Sequence, residues 1–266
     1  MIIAMQPKTV LASVKDFTHQ VAERLDSLGI GVELSEFSLP ENLHAEELKR
    51  RMLQVYEVLR DFEGPVTMHG VFFNMQIMAR DPWIIEVCKK RMLQSLEIAD
   101  TLGARRVVFH ANYPPSSKPG HKERFVQAHL NYWEHILPKA QEYDIQLLLE
   151  NTQEPDASYI TDILDKVDSP YLSGLLDTGH THCFTDSKIP VDKWVEDFGK
   201  HLSYVHLHAN NGVLDEHVAF MDGNQDFSRF FTALEALPEY PLMIIEVKTR
   251  EAFDRSVIGL QKLGIL

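Results

Sequence analysis

The chain runs to 266 residues, with 26 Lys and Arg against 39 Asp and Glu, a formal net charge of −13. Hydrophobic residues make up 44% and charged residues 24%, the balance of a globular protein and not of a disordered, collagenous or disulfide-stapled one. No stretch approaches the ~20 apolar residues that a spanning helix needs, so no membrane partner is expected. The acidic balance repels polyanions at long range, which disfavours nucleic acid and favours a small-molecule partner. The opening MIIAMQPKTVLASVKD has no basic region, long apolar run or small-residue cleavage site, so no secretory signal is expected. Cys88 and Cys183 lie far apart and form no C-x-x-C pair, which predicts a reduced, cytoplasmic protein.

Apolar β-rich runs alternate with amphipathic helical stretches along the chain. Met1-Ile2-Ile3-Ala4-Met5 reads as a first short strand, followed by a helix over Val14 to Leu28. Gly31 to Phe37 reads as the second strand and Ala45 to Phe62 as its helix. Val66 to His69 is the third, with a helix from Pro82 to Leu102; Arg106 to His110 is the fourth, with a helix from Lys122 to Tyr143. Ile145 to Glu150, Leu172 to Asp177, Leu202 to His208 and Leu242 to Val247 make the fifth to eighth. Their helices fall at Ser158–Lys166, Val191–Lys200, Ser228–Leu237 and Arg250–Leu263. Eight strand–helix repeats predict an α/β fold, a (β/α)₈ TIM barrel forming a single domain over 1–266. The rival, an open doubly wound sheet, lacks its G-x-G-x-x-G turn after the first strand.

Barrel enzymes build their sites at the C-terminal ends of the strands, and that is where the ionisable residues collect. His69, His110, Glu150, Asp177, His208 and Glu246 end the third to eighth strands in turn. His180 and His182 follow the sixth strand, and Asp215 and His217 lie in the loop after the seventh. A solitary histidine such as His19, His44, His121, His129, His135 or His201 reads as a solvated or hydrogen-bonded bystander. Glu150 after Leu147-Leu148-Leu149 and Glu246 after Ile244-Ile245 are different. A carboxylate closing a buried apolar run costs several kcal/mol unless it is paired or bound to a cation. The pattern predicts a metal site.

Asp177-Thr178-Gly179-His180 puts a carboxylate and an imidazole three residues apart where a strand gives way to its loop, so both can turn to one centre. His206 and His208 share strand parity and can both face the interior; one would ligate while the other hydrogen-bonds substrate. Mixed imidazole and carboxylate donors suit Zn²⁺ or Mn²⁺, with Mg²⁺ and Co²⁺ as further candidates. The loop Asn112–Gly120 reads either as a lid or as a plain surface connection. Phe72, Phe73, Met75 and Trp83 read as an apolar wall for substrate or as core.

The segments LGARRVVFHANY, LLLENT, LLDTGHTH, YVHLHANNGVLDEH and MIIEV resemble those of the xylose isomerase-like barrels. That superfamily includes sugar (phosphate) isomerases and epimerases and the endonuclease IV-type enzymes (AP endonuclease family 2). In the sugar branch the resemblance implies one divalent cation held by Glu150, Asp177, His208 and Glu246. The two glutamates would then flank the substrate and shuttle a proton through a metal-stabilised enediolate, with His180 also catalytic and His206 and His217 binding substrate. The chemistry is sound in itself: a cation polarising the substrate oxygens stabilises the developing negative charge, and a carboxylate takes and returns the proton. One base moving between two carbons isomerises; two opposed bases epimerise.

The endonuclease IV-type branch implies three zinc ions on a larger set: His69, His110, Glu150, Asp177, His180, His208, Asp215, His217 and Glu246. All nine residue types are present, so the expected count is one to three ions and a zinc-dependent phosphodiesterase is the second reading. Against DNA repair stand the acidic charge, the short segment between His208 and Asp215, and the lack of Arg/Lys-rich loops. The chain also departs from the ketose 3-epimerases it resembles. Ala209 to Leu214 carries no arginine where they have one, and the glycine pair before the next helix is incomplete, with Met221 and Gly223.

Overall fold

The computed structural model describes residues 8–266. Eight parallel strands follow one another in chain order and close into a barrel: β1 (Val10–Val14), β2 (Gly31–Leu34), β3 (Val66–His69), β4 (Arg106–His110), β5 (Gln146–Glu150), β6 (Leu172–Asp177), β7 (Leu202–Leu207) and β8 (Leu242–Ile245). Closure is made by β1 against β8, with Leu11 opposite Ile244, which excludes the open doubly wound sheet. The helices are α1 (His19–Leu28), α2 (Ala45–Leu59), α3 (Pro82–Leu102), α4 (His121–Glu142), α5 (Ser158–Val167), the single turn α6 (His180–Cys183), α7 (Val191–Phe198), α8 (Phe230–Glu235) and α9 (Arg250–Lys262). No helix among the described residues is long and apolar enough to cross a membrane, and both cysteines are free.

Local chemistry sets the helix limits. α1 begins where the Thr18 hydroxyl accepts from the Val21 N–H, and α9 where Thr249 does the same for Ala252. α3 starts on an Asp81 cap followed by Pro82 and stops at Gly103, whose φ of 75° is open to glycine at little cost. The strands are apolar on both faces because helices cover the outside and the barrel lumen is filled. In the lumen Leu11, Val108, Leu148, Leu175, Tyr204 and Ile244 form one fully buried layer.

The chief departure from the sequence reading is at the start. Met1–Met5 lies outside the described residues, and the first barrel strand is Val10–Val14, in the stretch read as a connection and the beginning of a helix. A short apolar run has no periodicity to separate strand from helix, and MIIAM is the more hydrophobic of two adjacent candidates. The second strand stops at Leu34 because Glu36–Ser38 forms a 3-10 turn. β7 and β8 end at Leu207 and Ile245, so His208 and Glu246 stand just past the named strands, with the Glu246 N–H still donating to the Leu207 carbonyl at 3.3 Å.

Candidate metal centre

Side chains of a strand alternate between its two faces, so the residue two places after each luminal apolar residue also points inward. Applied to the luminal layer, the rule turns Val108 into His110, Leu148 into Glu150, Leu175 into Asp177, Tyr204 into His206 and Ile244 into Glu246. The register agrees: His110 lies opposite Glu150 and Asp177 opposite His206. One apolar floor thus carries one ionisable storey, at the C-terminal end of the barrel.

Glu150, 1% exposed, divides its two oxygens. Oε2 lies 3.3 Å from Nε2 of both His69 and His110. Oε1 lies 3.4 Å from Nδ1 of His180 and 3.6 Å from Nδ1 of His206. His206 is a second meeting point: its Nδ1 is 3.0 Å from Glu246 and 3.8 Å from Asp177. Asp177 contacts His208 Nε2 through both oxygens at 3.0 and 2.9 Å, and its Oδ1 accepts from the His180 backbone N–H at 2.7 Å. Asp215 pairs with His217 Nε2 at 2.7 Å and lies 3.8 Å from His180 Nε2 and 4.0 Å from His208 Nδ1. The His208 and His217 rings stack with centroids 4.0 Å apart.

Gly179 lets this happen. A Cβ there would sit 2.1 Å from Cε1 of His208, so any larger residue would drive that ring away from Asp177.

The ionisation of the cluster follows from its mixture of signs. Burial pushes the Glu150 carboxyl up, but the imidazoles of His110 and His206 outweigh it and hold the group well below the usual carboxylate range. Glu246 behaves likewise, burial being overcome by His206 and His217. Burial lowers His206 and His180, yet the surrounding carboxylates bring both well above the usual histidine value: Glu246 and Glu33 for the first, Asp177 and Asp215 for the second. His69 is raised, burial being overcome by Glu150. His110 is lowered, because there burial prevails over Glu150. Glu154 is buried four residues past Glu150. Burial pushes it up to about 7, since the Thr152 N–H it accepts and the charge of His180 offset that only in part.

Four trios bring one donor atom each within 4.8 Å of one another: His69, Glu150 and His206; Glu150, Asp177 and His180; Asp177, His206 and Glu246; and His208, His217 and Glu246. Glu150 Oε2, His206 Nδ1, His208 Nδ1 and Asp215 Oδ1 are buried and have no hydrogen-bond partner. Unsatisfied buried donors and acceptors of this kind are costly. In a set of hard oxygens and imidazoles they are what a divalent cation would satisfy, so the residues fit a metal.

Every residue singled out in the sequence at strands three to eight reaches this cluster except His182, whose ring turns to Asn224 at 2.6 Å. Of the apolar wall, Phe72 stacks on His110 with centroids 4.4 Å apart, Met75 is core, and Trp83 stands exposed at the start of α3. His129 is the buried bystander, bonded to the Ala111 carbonyl at 3.0 Å.

Glu33 escaped the sequence reading. From β2 it contacts His206 Nε2 at 3.2 Å and accepts from the Tyr204 hydroxyl at 3.0 Å. The signal was present: Glu33 is an acid between Val32 and Leu34 in an apolar strand, the same argument that marks Glu150 and Glu246. Asn151 is a second such residue, its carbonyl meeting His180 Nδ1 at 2.9 Å and its side chain bonding the Asp177 backbone.

A closed (β/α)₈ barrel with histidines and carboxylates gathered at the strand ends defines the class. Residues 23–263 match the family described as the xylose isomerase-like TIM barrel, and the chain belongs to that family. Among solved structures, the TTHB071 protein from Thermus thermophilus, soaked with ZnCl2, is 26% identical, with a TM-score of 0.74 over 96% of this chain and 97% of that one. A D-tagatose 3-epimerase-like protein is 20% identical, with a TM-score of 0.78 over 97% of both chains. A D-allulose 3-epimerase from Methylomonas sp., in complex with D-allulose, is 16% identical, with a TM-score of 0.69 over 90% of this chain and 83% of that one.

Proposed function

We propose that the chain is a divalent-metal-dependent isomerase or epimerase of a small sugar or hydroxy-carbonyl compound. The observation that carries this reading is the convergence of Glu150 from β5 and Glu246 from the end of β8 on one point. Their oxygens lie 3.6 and 3.0 Å from His206 Nδ1. The likeness to sugar epimerases lends the fold-level analogy its weight, and no more than that.

In this reading Glu150, Asp177, His208 and Glu246 hold the cation, Zn²⁺ or Mn²⁺ by donor type. When bound, the cation would polarise the substrate oxygens and stabilise negative charge developing on them. The residues of the chain do the rest. Glu150 and Glu246, both held ionised by neighbouring imidazoles, are the bases that take a proton from the carbon beside the carbonyl and return it. His180, held by Asp177 and the Asn151 carbonyl, positions the substrate oxygens. His206 and His217 bind substrate hydroxyls, the first fixed by Glu33 and the second by Asp215. Phe72 covers the His110 side and excludes water there.

A second reading, a zinc-dependent phosphodiesterase with up to three ions, is favoured by one specific observation. Glu150 turns one oxygen to His69 and His110 and the other to His180 and His206, so its carboxylate would offer a donor to each of two groups of imidazoles. His180, Asp215 and His217 then form a further group.

Metal content per chain, on protein purified without chelators or an affinity metal, tests the two. About one equivalent, with turnover of a ketose or aldose, is the expected result. Two to three zinc equivalents with cleavage of a phosphodiester overturns it in favour of the hydrolase.

A further inference from the structure

A cavity adjoins the candidate metal centre, and the charge of its walls is opposite to that of the chain as a whole. It measures about 750 Å³ and opens between the β1–α1 and β8–α9 connections, sharing His217 and Glu246 with the cluster just described. Small-molecule sites fall in the range of roughly 300–1,000 Å³. Its walls carry Lys15, Arg24, Lys248 and Arg250, against the carboxylates of Glu23 and Glu246, in a chain of net charge −13.

Two of these cations are committed. Arg24 pairs with Asp254, and the Lys248 ammonium donates to the Asp215 backbone carbonyl. Lys15 and Arg250 have no carboxylate within ion-pair distance among the described residues. Arg250 is moreover the first residue of α9, a helix of 13 residues capped by Thr249, and both line the cavity. The partial positive charge of that helix end therefore adds to the side-chain charge.

We infer that this cavity is an anion subsite of the substrate pocket: Lys15, Arg250 and the start of α9 hold a phosphate or carboxylate group of the substrate. Its neutral hydroxy-carbonyl end then reaches Glu150 and Glu246. The inference rests on the isomerase or epimerase reading for which bond is rearranged, but it stands on its own observation, the placement of unpaired cations on one side of the barrel mouth. A phosphate monoester carries nearly two negative charges at neutral pH, which matches two free side-chain cations and a helix end. A carboxylate would engage the same groups more weakly. Glu246, shared by cavity and cluster, disfavours an anion at the metal end and so orients the substrate.

The test uses the full chain after chelation, so that no anion can be held through a metal. Inorganic phosphate and acetate are titrated separately by calorimetry, on the parent chain and on Lys15→Gln, Arg250→Gln and the double variant. Both positions are exposed, so the variants are expected to fold, and an unchanged melting temperature verifies it. The expected result is saturable phosphate binding that weakens at least fivefold in each single variant and disappears in the double. Saturable acetate binding lost in the same variants, without phosphate binding, assigns the subsite to carboxylates. Absence of both, or binding that ignores the substitutions, overturns the subsite. Metal stoichiometry and sugar turnover by the untreated chain report on the isomerase or epimerase reading separately, so the two failures are distinguishable.

Discussion

Two storeys of the same barrel lumen, built from the same strands, behave in opposite ways. The lower one, Leu11, Val108, Leu148, Leu175, Tyr204 and Ile244, is apolar apart from one hydroxyl. The upper one, reached by moving two residues along each strand, is His110, Glu150, Asp177, His206 and Glu246. Glu150, Asp177 and His206 are as buried as the floor and His110 and Glu246 are only partly exposed, so exposure alone does not separate the storeys. The lower storey is stabilised by removing apolar area from water, about 25 cal/mol per Å². The upper one bears a desolvation cost of several kcal/mol per ion that mutual pairing only partly offsets. In the proposed reading a layer that expensive is retained for chemistry, whereas the floor beneath it holds the barrel closed. The comparison separates function from stability, and substitutions in each storey should move one and spare the other.

The largest effect is expected above. Glu150→Gln and Glu246→Gln each remove a proposed base while keeping size and hydrogen-bonding capacity, and turnover should fall by about 10³-fold or more. Folding should survive, as read by an unchanged far-ultraviolet dichroism spectrum. Substantial activity in both variants would remove the two-glutamate proton transfer from consideration. Below, Leu148→Ala empties part of a fully buried layer, and stability should drop by about 3 kcal/mol. Metal content per folded chain should stay unchanged. A loss of metal binding in that variant would show that the two storeys are one cooperative unit.

A carboxylate at the rim with little support from imidazoles sharpens the same contrast. Glu154 is wholly buried and pushed up to about 7, from the usual value near 4.5. A carboxyl whose folded pKa lies above its unfolded one contributes stability that is fully present below pH 4.5 and lost as pH rises through 7. Unfolding measured from pH 4.5 to 8 should show a loss of about 3 kcal/mol from this group. Glu154→Gln, which can still accept the Thr152 N–H, should abolish that slope. Parallel curves for parent and variant would mean that burial leaves this carboxyl ionised.

Much of this was readable from the chain because the barrel repeats a simple rule. β3, α3, β4 and β6 have the limits read from the sequence, since each apolar run there is closed by a charged or small residue that stops it. Glu150 and Glu246 stood out as acids closing apolar runs, although β8 itself stops one residue short of Glu246. β1 was misplaced because Val10–Val14 has too few residues to show a period beside the more hydrophobic MIIAM. Glu33 was passed over because it lies inside its strand and not at its end. The division of Glu150 between two groups of histidines was beyond reach of sequence, being set by the stagger between β3, β4, β5 and β7. The cationic cavity was equally hidden: Lys15 and Arg250 are at opposite ends of the sequence, and only the β1–β8 closure brings their loops together.

Glu33 gives the smallest and most discriminating effect, because it belongs to neither storey by sequence and joins them in space. Its carboxylate takes the Tyr204 hydroxyl from the apolar floor and faces Nε2 of His206 in the storey above. Holding Nε2 fixes the ring so that Nδ1 is turned to Glu246, Glu150 and Asp177. That nitrogen meets three of the four proposed ligands, and partners that orient metal ligands in this way typically change metal affinity by about 10–100-fold. Glu33→Gln keeps the volume and one acceptor but sets an amide N–H against the ring, so Zn²⁺ affinity should weaken by about tenfold, the low end of that range. Glu33→Asp, which restores the charge on a shorter stem, should recover part of it. A merely structural acid would lower the melting temperature of metal-free protein and leave the dissociation constant alone. That outcome would confine Glu33 to the floor of the barrel.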